Sequence, residues 1–282
     1  MMIQVNDLRF TYPGSATPAI RGIGFSIEKG EIFGFLGPSG SGKSTTQKIL
    51  FKLLNPYQGS ALIEGREVRE WGKDLYLKIG VGFELPNHYL KLTALENLEF
   101  FRAFYPVSTD PMELLAMVGL EKDARRKVAD FSKGMKMRLN FVRALLHDPD
   151  ILFFDEPTSG LDPVNARVLK DMILQLKARG KTIFITTHQM HDAEELCDRV
   201  AFIVEGQIMA MDTPQSLKVK HSQRSVELRL KGDRQLHRFS LDQLGQNREF
   251  LELINASEVE TIHSREAGLD EIFIELTGKN LV

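Results

Sequence analysis

"GPSGSGKST", residues 37–45, decides what kind of sheet this chain builds. It fits G-x-x-x-x-G-K-[ST]. The short apolar run "IFGFLG" leads straight into it, and "KSTTQKILFKLL" follows with Ile49, Leu50, Leu53 and Leu54 at helical spacing. Strand, glycine loop, helix is the context in which this motif cradles phosphates. Glycines let the backbone wrap closely around an anion, and N–H groups at the helix start supply positive potential. Gly37, Pro38, Ser39, Gly40, Ser41, Gly42, Lys43, Ser44 and Thr45 are therefore the candidate phosphate-binding set. Lys43 brings a full charge to the β- and γ-phosphates, and the Ser44 hydroxyl is a ligand for Mg²⁺. The motif alone specifies a nucleoside triphosphate; kinases, GTPases and motors share it.

The next chemistry lies at "ILFFDE", residues 151–156, an apolar strand ending in two acids. A carboxylate at a strand's C-terminal end, beside a phosphate loop, suits a metal. Asp155 is the candidate metal residue, acting mainly through the water shell, and Glu156 the candidate base for an attacking water. "KTIFITTH" ends a second apolar strand at His188, where an imidazole can bridge γ-phosphate, water and acid.

Outward from these motifs, the chain falls into regions. "IQVNDLRFTY" and "IGFSIEKGE" alternate like strands, with breakers at Pro13-Gly14 and Gly30. From about residue 85 to 148 the period becomes helical, which predicts a helical subdomain inserted into the sheet domain. Strand and helix then alternate again, which argues for an α/β sheet with parallel strands. Residues 1–212 read as the main domain and 213–223 as a short helix and linker. Residues 224–282 read as a small α+β appendage, ending in "GLDEIFIELTG" with Leu269, Ile272, Phe273 and Leu276 on one face.

Composition limits the function classes. Basic and acidic residues number 36 and 38, so the net charge of −2 gives no general pull toward nucleic acid, and none is expected as a partner. Cys197 is the single cysteine, which excludes an intramolecular disulfide. "MMIQVNDLRF" lacks the basic start and apolar stretch of a signal peptide. No run approaches the ~18 apolar residues of a membrane helix.

Taken in order, the glycine loop, "FSKGM" (131–135), "ILFFDEP", "TSGLD" (158–162) and His188 resemble the ATPase subunits of ABC transporters over roughly residues 2–215. The resemblance implies a P-loop NTPase sheet domain with an antiparallel β subdomain and an inserted helical subdomain. It implies ATP and Mg²⁺ as cofactors, hydrolysis through Glu156 and His188, and two ATPase domains closing head to tail as a homodimer or heterodimer. One domain offers the glycine loop and the other a signature segment, usually L-S-G-G-Q. Ser132 and Gly134 match the two positions expected at the partner's γ-phosphate, while Lys133 and Met135 depart from the pattern. Glu84 stands where the family has a glutamine that links metal site and helical subdomain. Tyr12 matches the adenine-stacking aromatic, and Ser159 and Asp162 match the loop that crosses to the partner. Asp162 before Pro163 also reads as a helix N-cap.

The tail resembles ATPases of bacterial drug and antibiotic exporters. That implies a cytoplasmic subunit, peripheral on the inner face of the membrane, that drives separate membrane-spanning subunits. Two other classes stay open at this point. One is a soluble ABC ATPase acting on ribosomes or DNA, though the chain has one glycine loop and no sustained heptads. The other is a P-loop phosphotransferase, which leaves "FSKGM", "TSGLD" and His188 without a shared role.

Overall fold

The computed structural model describes residues 1–106, 109–221, 225–233, 235–265 and 267–279. They form two compact units, which divide after Thr213.

In the first unit, alternation along "IQVNDLRF" builds β1 (Ile3–Phe10), with Ile3, Val5, Leu8 and Phe10 buried. A register shift after Val5 restores the phase of the pattern. β1 pairs antiparallel with β2 (Ile20–Ile27). The chain then crosses through β3 (Ile32–Leu36) and helix α1 (Lys43–Leu50) before returning as β4 (Gln58–Ile63) and β5 (Arg66–Glu67). The antiparallel sheet has the order β2-β1-β4-β5. Helix α1 stops short of Leu53, which is exposed, although the apolar spacing continues to Leu54.

β3 belongs to a second, six-stranded sheet. After α2 (Leu75–Lys78) comes β6 (Ile79–Gly82), then helices α3 (Ala94–Arg102), α4 (Pro111–Met117) and α5 (Lys133–Arg143). The sheet resumes with β7 (Ile151–Asp155), α6 (Pro163–Ala178), β8 (Thr182–Thr187), α7 (Met190–Leu196), β9 (Arg199–Val204) and β10 (Gln207–Asp212). Its order is β10-β9-β3-β8-β7-β6, parallel except for β10. β3 and β8 are buried at every residue, as expected of parallel strands covered on both faces. Phe25 of β2 stacks on Phe33 of β3 with centroids 5.4 Å apart. Phe184 of β8 touches Phe25, Phe33, Phe35 and Phe153, so the two sheets share one aromatic core.

The three helices between β6 and β7 pack on one another. Their starts are set by local chemistry. Thr93 and Glu96 form a capping box on α3, Asp110 caps α4 ahead of Pro111, and Ser132 caps α5.

The second unit holds α8 (Pro214–His221), β11 (Ser225–Leu230), β12 (Leu236–Ser240), α9 (Arg248–Ala256), β13 (Val259–Arg265) and α10 (Leu269–Thr277). Its antiparallel sheet has the order β12-β11-β13. Val226, Leu228 and Leu230 alternate inward and cluster with Phe239 and Phe250. The segment read as a short helix and linker, 213–223, contributes α8, which packs against α10; residues 222 and 223 lie outside the described residues, as do 280–282. Along α10, Leu269, Ile272 and Phe273 are buried, and Leu276 is partly buried on the same face.

Removing the shared aromatic tests this packing. Phe184→Ala is expected to destabilise the first unit by about 3–5 kcal/mol, the usual cost of deleting a buried phenyl ring. Urea unfolding followed by fluorescence checks this, and a loss below about 1 kcal/mol would contradict it.

Candidate functional site

Strand register builds the site. Leu36 at the end of β3 lies opposite Thr187 of β8, and Asp155 of β7 lies opposite Thr186. Three carboxyl-terminal strand ends thus meet at one edge of the sheet, where open α/β sheets bind ligands. The residues just beyond them open onto a cavity of about 590 Å³. Pro38, Ser39, Gly40, Gly42, Lys43, Ser44, Thr45, Glu84, Glu156 and His188 line it.

The loop's shape depends on two glycines. A Cβ on Gly37 would fall 2.1 Å from the Ile203 carbonyl oxygen, so no side chain fits there. Gly42 caps α1 at φ 110°, a left-handed backbone that favours glycine. Ser41 is buried under the loop, against Gly37, and does not reach the cavity. Lys43 is only 7% exposed. Its ammonium donates to the carbonyls of Gly37 at 2.7 Å and Pro38 at 3.0 Å, and it lies 3.9 Å from Glu156. Burial pushes its pKa below the ordinary lysine value, while Glu156, Asp155 and Glu84 pull it back up.

The acids are held by β8. Thr186 and Ser44 both donate to Asp155 Oδ1, Ser44 at 3.1 Å. Glu156 sits at φ 50°, just past the strand, with its N–H on the Thr186 carbonyl at 2.9 Å. Its carboxylate is buried: Oε2 accepts from Thr187 Oγ1 at 3.1 Å, and Oε1 lies 2.9 Å from His188 Nδ1. The His188 side chain is 44% exposed. Glu84 follows β6 and is exposed on the cavity wall. Three carboxylates therefore gather around one lysine. Ser44 and Asp155, in direct contact, offer hard oxygens of the kind a divalent cation takes, with Glu84 on the cavity wall, and the lysine-bearing loop suits the phosphates that would accompany it.

Sequence reading did not single out several residues that build this site. Gln47 of α1 spans to the carbonyls of Phe154 and Phe184, each at 3.3 Å, and ties the helix to β7 and β8. Asn140 of α5 donates to the Phe83 carbonyl at 2.7 Å, and Arg143 to the Asn87 carbonyl at 2.6 Å. His88 returns the grip on the Lys136 carbonyl at 2.9 Å. Burial pushes His88 down to about 4, so it stays neutral and its Nε2–H is the donor. The segment bearing Glu84 is thereby clamped on both sides to the helix that Ser132 caps.

Other expected residues lie away from the cavity. The Tyr12 hydroxyl pairs with Thr45 Oγ1 at 3.0 Å, and its ring meets Phe10 edge-on at 4.9 Å. Ser132 accepts from Met135 N at 3.2 Å, and Gly134 is buried against the Asn165 amide. The Lys133 ammonium rests on Gly160 of the 158–162 loop. Asp162 caps α6, accepting from Val164 N and Asn165 N at 3.1 and 3.0 Å. Ser159 turns back on the Glu156 carbonyl at 3.1 Å. The fold brings Lys43, Ser44, Asp155, Glu156, His188 and Glu84 together, and leaves Ser132, Gly134, Ser159 and Asp162 off the wall of that cavity.

Loss of the buried ammonium tests the loop. Lys43→Met is expected to weaken binding of a fluorescent ATP analogue with Mg²⁺ by about tenfold or more, the worth of one charged hydrogen bond. Equal affinity in both proteins would remove Lys43 from the site.

Comparison with known proteins agrees with this geometry. A family profile described as "ABC transporter" matches residues 20–159, and one described as "Fluoroquinolone efflux ABC transporter C-terminal domain" matches residues 225–266. A fluoroquinolones export ATP-binding protein of Mycobacterium tuberculosis is 55% identical, over 99% of this chain and 94% of its own length. A Nod factor export ATP-binding protein I of Burkholderia orbicola is 40% identical over 70% of this chain and 67% of its own. Among solved structures, an ATP-binding subunit of an ABC transporter covers 98% of this chain and 100% of its own, with 27% identity and TM-score 0.74. A dimeric ATP-binding cassette in a post-hydrolysis state with ADP and Pi covers 75% of this chain and 98% of its own, with 29% identity and TM-score 0.69. A chain this similar along nearly its whole length, with a phosphate loop, paired acids and a strand-end histidine meeting at one sheet edge, belongs to the ATP-binding subunits of ABC transporters.

Proposed function

We propose that this chain hydrolyses ATP to drive export through separate membrane-spanning subunits, by closing with a second ATPase domain around the nucleotide. The observation that carries this reading is the buried Glu156 carboxylate, held beside Lys43 and His188 at the mouth of the phosphate loop. In this reading Lys43 and the 37–45 backbone bind the phosphates. Ser44, Asp155 and Glu84 hold Mg²⁺, which would offset the charge of the triphosphate. Glu156 takes the proton of the attacking water, and His188 positions water and γ-phosphate. Tyr12 stacks on adenine, its ring set by the bond to Thr45.

The residues off the cavity are the ones we assign to the closed state. Ser132 and Gly134 present a capped helix start, and the dimeric relative supports a second copy reading it. Ser159 and Asp162 are the crossing loop. Serine and glycine keep the contact atoms of the usual signature, so the altered letters Lys133 and Met135 flank the contact.

Export is supported by the export proteins among its relatives, and a drug of the fluoroquinolone type by the C-terminal match and the 55% identical relative. No helix among the described residues is long and apolar enough to cross a membrane, which fits a subunit working through membrane partners on the cytoplasmic face. Those partners would dock in the apolar groove formed by Phe51, Val81, Phe83, Phe101 and Tyr105, with Leu53 and Tyr76 at its rim. Phe83, Asn87 and Arg143 belong both to this groove and to the clamp around Glu84. Movement at the metal would therefore reach the groove through α5.

Glu156→Gln keeps the shape of the carboxylate and removes its basicity. It is expected to lower phosphate release by about 100-fold or more, as loss of a general base does. With ATP and Mg²⁺ it should also elute as a dimer in size-exclusion chromatography. Wild-type turnover in this variant would refute the base assignment. Transfer of the phosphoryl group to an acceptor other than water would favour a phosphotransferase instead.

A further inference from the structure

Glu156 has two carboxylate oxygens, and the structure distinguishes them. Oε1 faces His188 and Lys43, at 2.9 and 3.9 Å, on the cavity side. Oε2 is held from behind by Thr187, whose hydroxyl is 3.1 Å away on a side chain with almost no exposure. The direction of that bond is fixed. Thr187 Oγ1 already accepts the N–H of Gln189 at 3.0 Å, so its single proton is free to donate, and a carboxylate can only accept. The neighbouring Thr186 does the same for Asp155. Two successive residues of β8 thus each hold one of the two acids at the end of β7, as the Asp155–Thr186 register requires.

We propose that Thr187 is a positioning residue for hydrolysis: it anchors Oε2 so that Oε1 is the oxygen presented to the attacking water. The inference rests on the reading of Glu156 as base. Lys43 and His188 engage Oε1 here, and both are assigned to the γ-phosphate in the proposed reaction. Thr187 is not, so its bond is the one that stays as the nucleotide enters. A threonine that only satisfied its own buried hydroxyl could be exchanged for valine, which has nearly the same shape, at a cost in stability alone.

The test uses steady-state phosphate release from ATP and Mg²⁺ by the full chain. Thr187→Val should lower kcat by about tenfold or more, as loss of a hydrogen bond to a charged group does, and leave KM within about twofold. Thr187→Ser, which restores the hydroxyl, should recover kcat to within about threefold of wild type. In a Glu156→Gln background, Thr187→Val should add less than about a twofold further loss, because the two act as a unit. Three results would overturn the proposal: kcat kept in Thr187→Val, a defect that serine does not rescue, or a full further loss in the Glu156→Gln background. Glu156→Gln alone reports separately on the base. If that variant turns over normally, the base reading fails whatever Thr187→Val does.

Discussion

The parallel register of β3, β8 and β7 is the constraint on which everything else in the first unit depends. It aligns Leu36 with Thr187 and Thr186 with Asp155, so that a glycine loop, two acids and a histidine emerge from adjacent strand ends. Slipping one strand by a single residue would turn its side chains to the opposite face and break the core and the site together. The aromatic cluster around Phe184 holds this register from below, and Gln47 pins it from the helix side. Packing and catalytic geometry are here one problem with one solution.

The site so formed is rich in negative charge and holds one buried lysine. Gly37 and Pro38 carbonyls cradle that lysine, and burial lowers its affinity for a proton. In the proposed reading, phosphates would draw the ammonium outward from Glu156, and a divalent cation would relieve the crowding of Asp155, Glu156 and Glu84. The proposed second contact surface, at Ser132 and Gly134, lies at the start of α5. The same helix grips the segment bearing Glu84 through Asn140, Arg143 and His88. In the proposed cycle, α5 therefore links three things: the partner's nucleotide, the metal and the groove for the membrane subunits.

Much of this was legible in the sequence because the signals were local. The phosphate loop, the apolar strands ending in "DE" and "TTH", and the cap at Asp162 each sit within a few residues of what they control. The residues that sequence reading missed act over long separations. Gln47 reaches β7 and β8 more than a hundred positions away, and Asn140 meets Phe83 across the whole helical insert. Thr187 was within reach, because strand pairing alone sets it beside Glu156 once β7 and β8 are taken as neighbours. The second unit was harder to read. Along β12 only Phe239 is fully buried, and in β13 Ile262 is half exposed, so neither strand shows clean alternation. Segment 213–223 shows its short helix in the sequence, but not the element it packs on, α10, which lies far along the chain.

The central claim is that neither copy owns a complete hydrolytic site: the phosphate loop of one chain must meet Ser132 and Gly134 of another. The most direct measurement is phosphate release per mole of chain across a wide dilution series, with the mass in solution followed by light scattering. The account predicts that specific activity falls on dilution, in step with loss of the ATP-bound dimer. Constant specific activity from a chain that stays monomeric throughout would contradict it.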